Sequence, residues 1–250
     1  QKSSEKHSAV HKASHHSPIG VMGGEYHKKG EFMFSLRFMK MKMKGNRQGE
    51  EELSDYQVIS FPNSFAMGNM PSKISVVPKE MEMNMSMASL MYGFNNRVTG
   101  MAMLKFVNKN MKLNTYNPVA DLPCVKIYPS PPECRSFLGS FNSSSSGLAS
   151  FIISMLIKLK ETKSNRWHVE LGFEKSIGKN DTKGEVLSPA NTKMNIVLPY
   201  SMQTGDKGTR LVTGLTFVQR NMDWTYGIQT KLNKTINQEK WNYGNSLSMN

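Results

Sequence analysis

From Phe32 the chain alternates two kinds of side chain. Even positions carry Phe32, Phe34, Leu36 and Phe38, then Lys40, Lys42 and Lys44. Odd positions carry Met33, Ser35, Arg37, Met39, Met41 and Met43. Successive side chains of a strand point to opposite faces. Alternation this long therefore predicts a strand with two unlike surfaces rather than a helix. Residues 79–92 repeat the pattern, with Met81, Met83, Met85, Met87, Ser89 and Met91 against Glu80, Glu82, Asn84, Ser86, Ala88, Leu90 and Tyr92. Residues 98–111 set Val98, Gly100, Ala102, Leu104 and Phe106 against Thr99, Met101, Met103, Lys105, Val107, Lys109 and Met111.

Further strands are expected over residues 148–159, 166–176, 209–219, 224–232 and 244–249, giving at least eight in all. In the first of these Ala149, Phe151, Ile153, Met155 and Ile157 oppose Ser150 and Ser154; in the second Trp167, Val169, Leu171 and Phe173 oppose His168, Glu170 and Glu174. The connections alternate in length. Residues 45–78, 112–146 and 177–208 are long and polar, whereas 93–97, 161–165 and 220–223 are tight. Long loops at one end and short turns at the other are the pattern of an outer-membrane barrel, and a soluble sandwich has no reason to sort them so. The sequence thus predicts an all-β fold, an antiparallel transmembrane β-barrel over residues 31–250, preceded by a flexible segment over residues 1–30.

No apolar run reaches the ~18 residues a spanning helix needs, and the mean hydropathy of −0.47 is too polar for a helical membrane protein. Barrel strands escape that test because half their side chains are polar. With the N-terminus placed in the periplasm of a Gram-negative cell, Phe32, Phe34, Trp167, Trp224, Tyr226 and Tyr92 fall near the short turns as an aromatic girdle. Lys40, Lys42 and Lys44 then reach the level of lipopolysaccharide phosphates, with Glu80 and Glu82 as cross-strand charge partners. The formal charge of +13 invites a nucleic-acid reading. The basic residues are dispersed and no nucleic-acid fingerprint occurs, so outer-membrane lipid and lipopolysaccharide are the expected partners. The first residues, from Gln1 to Ser4, are polar and lack an initiator Met, as after removal of a signal peptide or in a trimmed chain.

Candidate chemistry rests on sulfur and imidazole. The chain has 20 Met and 6 His. Met39, Met41 and Met43 are expected beside Met81, Met83 and Met85 near the outer mouth. Thioethers are soft ligands suited to Cu(I); His7, His11, His15, His16 and His27 suit Cu(II), Ni or Zn. A copper site on these residues is one reading, and packing or an apolar lining is the other. Met33, Arg37, Met87, Met101, Met103, Lys105, His168 and Glu170 are expected to line the interior. Cys124 and Cys134 are either a short disulfide loop or two free thiols. No phosphate cradle, nucleophile elbow or metalloprotease motif appears, so no enzymatic activity is expected.

Several stretches resemble the outer-membrane transporter proteins grouped with the MetA pathway of phenol degradation. They are His16, Ser17, Pro18, Ile19, Gly20, Val21, Met22 and Gly23; His27, Lys28, Lys29, Gly30 and Glu31; and Ser35, Leu36, Arg37, Phe38 and Met39. Met91, Tyr92 and Gly93 with Met101, Ala102 and Met103 match too, as do Ser145, Ser146, Gly147 and Leu148, the run from Leu198 through Pro199, Tyr200, Ser201 and Met202 to Gln203, and the paired strands of residues 211–232. The resemblance implies an outer-membrane barrel with a transport role and supplies no catalytic residues. It also implies further strands, about 12 in a complete chain, where this one stops at Ser248, Met249 and Asn250. The expected function is a channel or transporter for small solutes, apolar compounds among them. The alternatives are a copper-binding outer-membrane protein and a structural or adhesive barrel whose loops bind a partner. A partner chain or a second copy is a possible complement.

Overall fold

The computed structural model describes residues 21, 24, 27–64, 66, 71–119, 135–162, 164–221, 224–237 and 244–250. Its strands, in chain order, are β1 (Phe32–Lys44), β2 (Asn46–Gln48), β3 (Glu51–Leu53), β4 (Val76–Gly93), β5 (Val98–Tyr116), β6 (Phe137–Glu161), β7 (Asn165–Ser176), β8 (Lys183–Leu187), β9 (Lys193–Val197), β10 (Thr209–Asn221), β11 (Trp224–Asn237) and β12 (Ser246–Met249), with one short helix, α1 (Asp55–Ser60). Eight of them form one antiparallel sheet in the order β1-β4-β5-β6-β7-β10-β11-β12. The sheet curls into a half-barrel. Its edge strands, β1 and β12, do not pair with each other among the described residues.

Register follows the alternation. Met39 sits opposite Met85, Met41 opposite Met83 and Met43 opposite Met81, while Lys42 faces Glu82 and Lys44 faces Glu80. A slip by one residue would set every Met against the wrong face. The convex face carries the ion pairs Lys40–Glu82 at 2.8 Å and Lys42–Glu80 at 2.6 Å. On the concave face Met87, Met91, Met101, Met103, Ile152 and Leu156 pack into a core, with Met33 and Met85 against it.

All three expected long connections are partly strand. β5 runs on to Tyr116 and β6 begins at Phe137, inside the connection expected over 112–146. The serine run 143–146 pairs with β5, Ser143 opposite Met111 and Ser145 opposite Lys109. The apolar signal fades there because Asn142, Ser144 and Ser146 make the convex face polar, and Ser143 and Ser145 turn inward as hydrogen-bond donors. Among the short turns, Gly93 is required by close approach. A Cβ on it would lie 2.0 Å from the Lys28 carbonyl oxygen, where the N-terminal segment donates Gly30 N–H to Gly93 O.

The 45–78 connection folds into a cap. The β2–β3 hairpin leads to α1, whose Ser54 N-cap forms a capping box with Gln57. Val58, Ile59, Val77 and Tyr116 make a small core beneath it. Arg135 stitches this cap together, donating to the Ile59 and Ile74 carbonyls at 2.9 Å each. Asp55 accepts from Lys79 Nζ at 2.6 Å and from the Tyr116 hydroxyl at 2.7 Å. Burial pushes the Asp55 carboxyl up, but the hydrogen bonds from Lys79 and Tyr116 outweigh it and hold the group below its ordinary 3.8. Burial, then the Asp55 carboxylate, push the Tyr116 hydroxyl up to about 12.

These shifts set a pH window by linkage. Asp55, depressed in the folded state, stabilises the cap fully above its unfolded value of 3.8 and ceases to do so as pH falls through its lower folded value. Tyr116, raised, stabilises it fully below its unfolded value of 10.0 and loses this as pH climbs to about 12. Hydrogen-exchange protection factors of the α1 amides, corrected for the intrinsic pH dependence of exchange, should therefore be highest between these limits. Asp55→Asn should remove the acid arm and bring Tyr116 back toward ordinary titration, read by tyrosinate absorbance.

Candidate functional site

The concave face divides lengthwise. At the short-turn end it is filled. His27 N–H donates to Thr99 Oγ1 at 2.9 Å, and Val21 is buried, lying 3.4 Å from where a Cβ on Gly227 would stand. The methionine core lies beside a polar ladder on β5, β6, β7 and β11. Glu170 accepts from Ser154 Oγ at 3.0 Å and pairs with Lys231 Nζ at 2.6 Å. Glu174 accepts from Ser150 Oγ at 2.5 Å and pairs with Lys105 Nζ at 3.0 Å. Gly214 lies between Glu170 and Lys231 in the strand register, and its missing side chain lets the lysine cross one strand to reach the carboxylate. His168 and Thr216 are fully buried in the same layer. Buried charges persist only when paired and hydrogen-bonded, and each carboxylate here is satisfied in both ways.

At the long-loop end the 177–208 connection folds across the concave face. Its β8–β9 hairpin and a single 3-10 turn, Tyr200–Met202, lie over β5 and β6. Lys109 Nζ donates to the Ser201 carbonyl at 2.8 Å and the Gln203 carbonyl at 2.6 Å. Ser145 Oγ donates to the Met202 carbonyl at 2.5 Å, and Ser143 Oγ to that of Glu185 at 3.1 Å. The buried Gln203 amide closes the loop on itself, donating to Leu198 O and accepting from Thr182 N–H. Between the hairpin and the sheet lies a cavity of about 570 Å³ lined by Val76, Met111, Phe141, Met194, Ile196 and Leu198, among others. Its walls are almost wholly apolar, and its volume is that of a small-molecule site.

The interior residues expected from the sequence share this face. Met33, Arg37, Met87, Met101, Met103, Lys105, His168 and Glu170 all lie on the concave side by register and alternation. Met39, Met41, Met43, Met81, Met83 and Met85 lie together at the long-loop end. His27 does not join them. It sits beside Thr99 at the turn end, and Tyr92 and Met81 on β4 are eleven residue steps apart, roughly 37 Å along the strand. His7, His11, His15, His16, Cys124 and Cys134 lie outside the described residues. Sequence reasoning missed the cavity, and with it Lys109 and Gln203 as the groups that seat the loop. The run from Leu198 to Gln203 was visible only as part of a resemblance.

The arrangement defines a class: an antiparallel half-barrel with an apolar convex surface and a partly charged, methionine-rich concave one. No protein-family model, curated protein or solved structure matches the chain.

Lys109→Ala should release the Ser201 and Gln203 carbonyls, costing about 1.5–3 kcal/mol per charged hydrogen bond. Limited proteolysis should then cut within residues 177–208 first. Glu170→Ala should strand Lys231 in the interior and cost about 3–5 kcal/mol, read by chemical unfolding. Glu170→Ala with Lys231→Met should recover most of that loss.

Proposed function

We propose that the chain is an outer-membrane β-barrel channel or transporter for small apolar solutes. The observation that carries this reading is the boundary on the convex face. Seven neighbouring strands each change from apolar to polar along their length: Phe38 to Lys40, Ala88 to Asn84, Phe106 to Asn108 and Leu148 to Ser146 on β1, β4, β5 and β6, then, nearer the short turns, Phe173 to Lys175, Leu211 to Thr209 and Leu232 to Lys234 on β7, β10 and β11. In the sheet Phe38, Ser86, Phe106 and Leu148 lie in one register row, and Lys40, Asn84, Asn108 and Ser146 lie in the next such row. Below the boundary the surface is exposed and greasy, with Phe38 77% and Trp224 79% exposed. Water would make so large an apolar patch costly.

The height of the band fits a bilayer. Val98 to Phe106 covers eight residue steps of β5, about 26 Å along the strand. At the usual barrel tilt of about 40° that is roughly 20 Å of height, close to the ~25 Å apolar belt of outer-membrane barrels. Trp224, Tyr226 and Tyr92 stand at the turn-side margin, where amphipathic rings favour an interface. The lysine ladder of β1 lies beyond the opposite margin. The apolar cavity under the β8–β9 hairpin then opens on the long-loop side and suits a compact apolar solute entering from outside. The resemblance to outer-membrane transporters agrees with this reading. Closure of the barrel requires that β1 and β12, the edges of the sheet among the described residues, be joined by further strands.

Reconstitution tests it. The refolded protein should partition into lipid vesicles and conduct in planar bilayers. Ile153→Arg, on the lipid side, should oppose insertion by about 2–4 kcal/mol. An apolar naphthylamine fluorophore should bind at the cavity, and Ile196→Arg should weaken its binding without altering insertion. A chain that stays monomeric in buffer and ignores vesicles would defeat the membrane reading. Insertion without conductance or fluorophore binding would leave a structural barrel in place of a channel.

A further inference from the structure

Two populations of methionine share the concave face. Met87, Met91, Met101 and Met103 are core, with Met91 only 2% exposed. Met39, Met41 and Met43 are 43%, 40% and 43% exposed. Met83 lies between the methionine core and the Met111–Leu198 cluster and belongs to neither. Packing explains the first population but not the second. Register sets Met41 directly opposite Met83, with Met39 and Met43 diagonal to it. Side chains opposite each other on one face have Cβ atoms about 4.5–5.5 Å apart, and diagonal neighbours are about 7–8 Å apart. A thioether on three rotatable bonds spans such gaps easily.

The surroundings suit a soft cation. Lys109, opposite Met83 on β5, directs its ammonium away to the carbonyls of Ser201 and Gln203. Lys40 and Lys42 point to the other face and are paired with Glu82 and Glu80. Among the described residues no group of three or more His, Cys, Asp or Glu is placed to hold a metal, so hard and borderline ions find no comparable site there. Neutral thioethers select soft monovalent ions over Mg(II), Ca(II) or Zn(II).

We propose that Met39, Met41, Met43 and Met83 form a thioether site for Cu(I), for which Ag(I) serves as an air-stable probe. Thioethers carry no proton to lose, so binding is independent of pH in the range where histidine ligands protonate and fail. The face exists whether or not the sheet enters a bilayer, so this site and the membrane reading stand or fall separately.

The test is Ag(I) titration of the full chain by calorimetry, at neutral pH and at about pH 5, where imidazole ligands are largely protonated. With Cys124→Ser and Cys134→Ser in the background, so that no thiolate competes for the ion, the expected result is one Ag(I) per chain, retained at the lower pH. Changing Met39, Met41, Met43 and Met83 together to Leu conserves volume and should weaken binding roughly a hundredfold by removing the soft donors. The matching change of Met87, Met91, Met101 and Met103 to Leu should leave it unaltered. Methionine methyl NMR resonances that move on Ag(I) addition should be those of the four proposed ligands, a readout that needs no variant to fold. Undiminished affinity in the first variant, loss at the lower pH, or shifts confined to the core methionines would overturn the proposal.

Discussion

Strand pairing in a single register is the constraint on which everything else in this structure depends. Each strand of the curled sheet has two unlike faces, and only one alignment of neighbours puts all the like faces together. Cross-strand partners enforce that alignment from both sides. Lys42 and Lys44 meet Glu82 and Glu80 on the convex face, while Met41 and Met43 meet Met83 and Met81 on the concave one. A shift by one residue would move aromatics inward and ammonium groups against thioethers.

Given that register, the concave face separates into a closed and an open half. The turn end is filled by methionines and by carboxylates that reach across strands to lysines, so charge sits inside without being unpaired. The long-loop end is covered by a returning connection rather than by sheet residues. Lys109, Ser143 and Ser145 hold that connection through its own carbonyls. Backbone acceptors that would otherwise lie buried and unsatisfied become the anchor points, and the apolar cavity is the space left between the hairpin and the sheet. The same cover leaves the β1 thioethers of Met39, Met41 and Met43 exposed beyond its edge.

The strand pattern from Phe32 to Met111 could be read directly from the chain, because alternation of large apolar and polar groups needs no partner to be recognised. Tight turns such as 93–97 were equally legible. The ends of β5 and β6 were not, since Asn110, Lys112, Ser144 and Ser146 make the convex face polar while Lys109, Ser143 and Ser145 bring polar groups to the concave one, so the alternation fades. There the ladder hydrogen bonds are joined by burial against the cap and the 177–208 connection, contacts that the local sequence does not show. The inward set containing Lys105, His168 and Glu170 was legible for the same reason as the strands. Its pairing of Glu170 with Lys231, and of Glu174 with Lys105, was not, because each pair skips over a strand whose position depends on the whole sheet order.

The sequence by itself determined which side chains share a face, where the chain turns back, and that the methionines of β1 and β4 lie on one surface. Period two is a local property, written in each segment alone. Only the tertiary structure decided that His27 stands at the opposite end from those methionines, that the 177–208 connection folds inward over β5, and that an apolar cavity results. Those outcomes depend on distances between residues far apart in the chain, which arise only when curl and strand order bring separate segments together.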